Sequence, residues 1–128
     1  MKKILEKEIR SFLHKEFENI LLFLHSSVDS TNNEAKRMAE KKCVMPAVIL
    51  TESQTAGKGR MGRSFYSPAG TGIYMSFLLP VKIGADQAVL TTTAASVAVT
   101  RAIRMNTTLL PTIKWVNDIY LGEKKICG

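Results

Sequence analysis

The sequence predicts an α+β fold, a mixed and mainly antiparallel sheet with helices packed on it, and three observations lead there. Apolar runs at 20–24, 47–51 and 73–79 have strand length. Two longer stretches, 2–17 and 86–105, have the length and spacing of helices. Late in the chain, strand-like segments follow one another closely enough to pair as hairpins.

Each element has its own warrant. Ile4, Leu5, Ile9, Phe12, Leu13 and Phe17 fall near helical spacing, so Lys2 to about Phe17 reads as an amphipathic helix. Ile20–Leu24 is short and wholly apolar, which favours a buried strand. Thr31 followed by Glu34 has the spacing of a capping box and opens a helix through Lys42. Pro46 leads into a second buried strand, Ala47 to Thr51. Ser67-Pro68-Ala69-Gly70-Thr71-Gly72 is a turn before a third strand, Ile73 to Leu79. From Asp86 to about Met105 runs a long helix whose Ala88, Ala94, Ala95, Ala98 and Ala102 suit burial against a sheet. Thr112 to Trp115 and Tyr120-Leu121 are strands, and Gly122-Glu123 turns the chain back through Lys125-Ile126. The chain stops inside that returning strand, which reads as a fragment.

Composition narrows the function. At 128 residues and 45% hydrophobic the chain can bury a core as one soluble domain. Cys43 and Cys127 form no C-x-x-C pair, which argues against a zinc site or a disulfide framework and fits a reducing cytoplasm. No apolar run approaches the length of a membrane span. Residues 1–52 hold nine Lys+Arg against eight Asp+Glu, whereas residues 53–128 hold nine against three. The later part therefore meets something anionic, either nucleic acid or a phosphate-bearing small molecule. The cations lie on loops and make no basic stripe on a helix, which disfavours nucleic acid.

The densest signal is Gln54-Thr55-Ala56-Gly57-Lys58-Gly59-Arg60-Met61-Gly62-Arg63, with three glycines and three cations in seven residues. Glycine allows positive φ and close approach to a ligand, and exposed N–H groups can line an anion-binding concavity. Gly57-x-Gly59-x-x-Gly62 has dinucleotide-fingerprint spacing, but Ser64-Phe65-Tyr66-Ser67-Pro68 follows where that motif opens a helix. A Walker A loop is excluded because Gly59 follows Lys58. Asp29-Ser30-Thr31-Asn32 is an N-cap or a set of polar groups for a ligand head. Asn117-Asp118 is a turn, or with Lys114 and Lys125 a source of cations for a phosphate and oxygens for Mg²⁺.

Together, Asp29-Ser30-Thr31-Asn32, Gln54, the Gly57–Arg63 loop, Ser67-Pro68-Ala69-Gly70, Lys114-Trp115-Val116-Asn117-Asp118 and Lys125 resemble, in order and spacing, the catalytic domain of the biotin protein ligases. Lys58 and Met61 stand where the family has arginines, Phe65 where it usually has Trp, and Val116 where it has proline. The resemblance implies a class II aminoacyl-tRNA synthetase/biotin synthetase-like fold, incomplete at the C-terminus. Residues 1–19 would be an N-terminal helical segment and 20–128 the N-terminal part of the catalytic domain, with no winged-helix DNA-binding domain and without the C-terminal β-domain.

It also implies activation of biotin by ATP to biotinyl-5′-AMP, then transfer to a lysine of a biotin carboxyl carrier domain of acetyl-CoA carboxylase or a related carboxylase. Ser30, Thr31, Asn32 and Gln54 would bind the biotin head group. Lys58 and Arg60, with Gly59 between them, would draw the carboxylate towards the α-phosphate. Phe65 would stack near adenine, Lys114 would supply a cation for phosphate, and Lys125 would contact the carboxylate or adenylate phosphate. Asn117 and Asp118 would place Mg²⁺ or the incoming lysine. The alternatives are a truncated, non-catalytic biotin- or adenylate-binding fragment and a lipoate–protein ligase relative. The sheet edge at 124–128 would allow a homodimer.

Overall fold

The computed structural model describes residues 4–42, 46–80 and 82–128, without the side chains of Arg60 and Ala85. Lys2 and Cys43, named above, lie outside the described residues. Contacts group the chain into two compact units, Met1–Val81 and Lys82–Gly128.

The first unit is built on a three-stranded sheet in the order β1 (Leu21–His25), β2 (Ala47–Thr51), β3 (Tyr74–Leu78). β1 and β2 are parallel, with Leu21 opposite Ala47 and His25 opposite Thr51. β2 and β3 are antiparallel, with Ile49 opposite Ser76. The wholly apolar segments sit where their composition places them. β2 is central and all five of its residues are buried, whereas β1 is an edge strand and only half-buried, short of the full burial its sequence predicts. The difference is positional: a central strand has a neighbour on each side, an edge strand on one.

Two α-helices belong to this unit. α1 (Glu6–Phe12) is shorter than its spacing predicts, and the chain turns extended at Leu13 before a single 3₁₀ turn, Lys15–Phe17. No residue of α1 is buried and Phe12 is 86% exposed, so no packing sustains a longer helix. Arg10 reaches forward from α1, donating to the Glu18 carbonyl at 3.2 Å and thereby meeting the chain that enters β1. α2 (Thr31–Glu40) packs on β2 and β3. Its predicted capping box does not form. Ser30 is the N-cap but makes no side-chain cap bond, and the Glu34 carboxylate pairs with Arg37 instead of reaching back.

The second unit holds α3 (Ala85–Asn106) and an antiparallel sheet, β4 (Thr112–Lys114), β5 (Asp118–Leu121) and β6 (Lys124–Cys127). Gly122 adopts φ 58°, the left-handed conformation that the turn between β5 and β6 requires. The Trp115–Val116 peptide between β4 and β5 is cis. The buried line of α3 is not its alanines. Ser96 and Thr100 are buried, with Val99 and Ile103 half-buried beside them at helical spacing, while Ala88, Ala94, Ala95, Ala98 and Ala102 are exposed. Ile119 on β5 is fully buried and anchors this sheet. Among the described residues no helix is long and apolar enough to cross a membrane.

Candidate functional site

In the first unit the site grows out of the parallel pair. Ligands of α/β sheets sit beyond the carboxyl ends of parallel strands. Here the chain leaving β1 carries Ser30, Thr31 and Asn32, and the chain leaving β2 carries Gln54 and the glycine loop. Single backbone bridges join Gln54 to Val28 on one side and to Ser67 on the other, drawing three segments together.

Their side chains form one polar network. The Gln54 carboxamide oxygen accepts from the Thr31 backbone N–H at 2.9 Å and from the Thr31 hydroxyl at 3.3 Å. Gln54 Nε2 donates to Ser67 Oγ at 2.8 Å, and Ser67 donates to the Phe65 carbonyl at 3.1 Å. On β3 the Ser76 hydroxyl lies 2.9 Å from Thr31 Oγ1 and 2.5 Å from Asn32 Oδ1. The structure thus brings Thr31, Asn32 and Gln54 together as the sequence implies, with Ser30 buried at the helix start. It adds Ser67 and Ser76, which sequence reasoning had only as turn and strand residues. Ser76 was detectable as a small hydroxyl residue on the inward parity of a largely apolar strand, which it shares with Tyr74 and Leu78.

Asp29 does not cap α2. Arg37 Nη2 and Nη1 donate to its two carboxylate oxygens at 2.8 and 3.1 Å, and Asn33 adds a bond of 2.7 Å. The Arg37 guanidinium, then Asn33, hold the Asp29 carboxyl well below the usual carboxylate range. A carboxylate with a depressed folded pKa stabilises the fold above its unfolded pKa and loses that contribution as pH falls through the folded value. The stability difference between the natural chain and Asp29→Asn should therefore hold steady from pH 7 to about 5 and shrink at lower pH. Urea melts across that range check it, and a difference that vanishes already at pH 6 overturns the assignment. Both side chains are partly exposed, so added salt should reduce the difference.

The glycine loop is a narrow β-like excursion. Phe65 N–H donates to the Gly57 carbonyl at 2.8 Å, Lys58 bridges Ser64, and Gly59 N–H donates to the Arg63 carbonyl at 2.7 Å. Thr55 and Ala56 N–H groups donate to Val28 and Asp29 carbonyls. The Thr55, Ala56, Gly59 and Phe65 amides are thereby committed to protein acceptors. Lys58 and Arg63 are exposed, as is Phe65 at 46%. The Arg60 side chain, given a catalytic role above, lies outside the described residues. Left-handed backbone occurs at Met61 (φ 54°) and Gly62 (φ 75°), not at Gly57 or Gly59.

The second unit places the other candidates on one hairpin. Lys114 stands opposite Asp118 in register, and its ammonium lies 5.5 Å from the centre of the Tyr120 ring. Lys125 Nζ forms an ion pair with Asp118 Oδ1 at 2.8 Å. That pairing directs the Asp118 carboxylate to an ammonium, and among the described residues no group of three His, Cys, Asp or Glu gathers as metal ligands. Cys127 is a free thiol, and burial pushes its pKa up.

The parallel strand pair thus ends in a hydroxyl–amide cluster of buried Thr31, Ser67 and Ser76, half-buried Gln54 and exposed Asn32, beside a loop of exposed cations. The sequence model of the biotin/lipoate A/B protein ligase family matches residues 24–128, and the chain belongs to that family. It is 34% identical over 126 residues to the bifunctional ligase/repressor BirA of Bacillus subtilis (strain 168), covering 98% of this chain and 39% of that protein. The structure is similar to biotin protein ligase from Leishmania major in complex with biotin, at TM-score 0.70 and 26% identity over 84% of this chain and 48% of that one. It is also similar to biotin protein ligase from Aquifex aeolicus in complex with biotin and ATP, at TM-score 0.66 and 29% identity over 82% and 43% of the two chains. The chain thus spans less than half the length of each of these relatives.

Proposed function

We propose that this chain carries the biotin-activating site of a biotin protein ligase: biotin and ATP give biotinyl-5′-AMP and pyrophosphate, and the biotinyl group then passes to a lysine of a biotin carboxyl carrier domain. The observation that carries the reading is the Thr31–Gln54–Ser76–Asn32 cluster at the ends of the parallel pair. A ureido head group, with two N–H donors and a carbonyl acceptor, is matched by such a mixed set of donors and acceptors.

The chemistry asked of the protein is positioning and charge. In this reading Lys58, Arg60 and Gly59 hold the biotin carboxylate against the α-phosphate, and cations offset the charge that builds on phosphorus as pyrophosphate leaves. Phe65 offers an exposed aromatic face for stacking on adenine. Lys125 and Lys114 serve the carboxylate or phosphates, with Asp118 holding Lys125 in place through their ion pair. Mg²⁺ would accompany the ATP phosphates, with Asn117 and Asp118 helping to place it or the incoming lysine. Cytoplasmic residence fits both the substrate and the free Cys127.

The test is ATP–pyrophosphate exchange by this chain, run with biotin and separately with lipoate. Exchange that depends on biotin supports the reading. Lipoate-dependent exchange moves the chain to the lipoate branch of the family. Absence of exchange with either, while biotin still binds by calorimetry, makes it a binding fragment.

A further inference from the structure

We propose that Ser67 is a positioning residue that ties the stem of the glycine loop to the start of α2 by way of Gln54; its catalytic consequence rests on the biotin-ligase reading. Donor and acceptor chemistry gives the connection a single direction. The Thr31 backbone N–H can only donate, so the oxygen of the Gln54 carboxamide faces it at 2.9 Å. That orientation turns Gln54 Nε2 towards Ser67, where it too can only donate, at 2.8 Å. Ser67 Oγ is therefore an acceptor on that side, and its own hydrogen goes to the Phe65 carbonyl at 3.1 Å.

Phe65 is where the loop closes, because its N–H donates to the Gly57 carbonyl at 2.8 Å. Lys58 and Arg63 both lie between Gly57 and Phe65 in sequence, so whatever fixes Phe65 fixes one end of the cation-bearing segment. Ser67 is 3% exposed, so water does not readily replace these bonds. Gly57 packs against the same groups: a Cβ there would press on the Phe65 carbonyl oxygen and lie 2.7 Å from Ser67 Oγ and 3.0 Å from Gln54 Nε2. Gln54 thus has a duty apart from touching a ligand. It sets the direction of the Ser67 hydroxyl, and through it holds the loop.

The experiment is amide hydrogen exchange by NMR on the ligand-free chain, comparing Gln54→Glu, Ser67→Ala and Ser67→Thr. In Gln54→Glu the new carboxylate only accepts, so the Ser67 hydroxyl turns to it and releases the Phe65 carbonyl. The Phe65 and Gly59 amides are expected to exchange roughly three- to tenfold faster in Gln54→Glu and Ser67→Ala, the equivalent of one lost hydrogen bond. Ser67→Thr, which keeps the hydroxyl, is expected to retain the natural protection. The Ile49 amide on β2 reports whether the fold is intact, and if Gln54→Glu disturbs it, Ser67→Ala against Ser67→Thr decides alone.

Natural protection of Phe65 and Gly59 in Ser67→Ala overturns the proposal. In the pyrophosphate-exchange assay Ser67→Ala should lower kcat more than it raises the KM for biotin, and Ser67→Thr should restore kcat. If the natural chain neither exchanges with biotin nor binds it, the biotin reading fails while the NMR comparison still decides the role of Ser67.

Discussion

Gly57→Ala is expected to destabilise the first unit by about 1–3 kcal/mol and to abolish ligand binding at the Thr31–Gln54 cluster. The reason is space, not backbone freedom. Gly57 does not adopt positive φ, but its Cα faces the Phe65 carbonyl oxygen, Ser67 Oγ and Gln54 Nε2 so closely that even a methyl group displaces one of them. The Phe65 carbonyl cannot retreat cheaply, because the same residue is bonded to the Gly57 carbonyl through its N–H. Gly62→Ala is the control. It sits at φ 75° with open space around it, so its cost is the 1–2 kcal/mol of left-handed backbone, roughly, with no effect on the cluster. Urea denaturation and biotin calorimetry on both variants separate the two causes. Equal binding by Gly57→Ala and the natural chain would show that the loop stem is not packed as described.

Ile49→Ala is expected to cost about 2–5 kcal/mol, the range for emptying a fully buried site that cannot collapse. Ile49 is 0% exposed at the middle of the central strand, opposite Ser76 and Phe23, and β2 supplies four of the five buried apolar residues among those described. Phe77→Ala removes a larger side chain one register position away yet should cost about 1 kcal/mol or less, because Phe77 is 57% exposed on the opposite face. A urea midpoint that falls for Ile49→Ala and barely moves for Phe77→Ala, with unchanged slope, is the expected pattern. Equal losses would mean that both faces of the sheet are packed alike.

The elements were legible where the local signal was strong. Ala47–Thr51 is a strand by composition and by structure, the helix at 86–105 holds to within a residue at each end, and Gly122 turns the last hairpin. Signals that depend on packing were less so. Spacing made Lys2–Phe17 one helix, but its apolar side is at most half-buried among the described residues, and the helix observed is Glu6–Phe12. Thr31 and Glu34 have capping-box spacing, but Thr31 is committed to Gln54 and Ser76, and Glu34 to Arg37. The alanines of α3 suggested its buried face, which instead runs through Ser96 and Thr100.

The candidate site divides along the same line. The sequence by itself determined the family, the polar cluster after β1, Gln54 and the cationic loop after β2, because residue types in fixed order need no third dimension to be recognised. Only the tertiary structure decided that Ser67 and Ser76 join the cluster, that Gly57 is there to leave room, and that Asp118 faces Lys125. Those are contacts between segments ten to forty-five residues apart or across a hairpin. A hydrogen bond or a steric limit between such segments exists only once the sheet has fixed their distance.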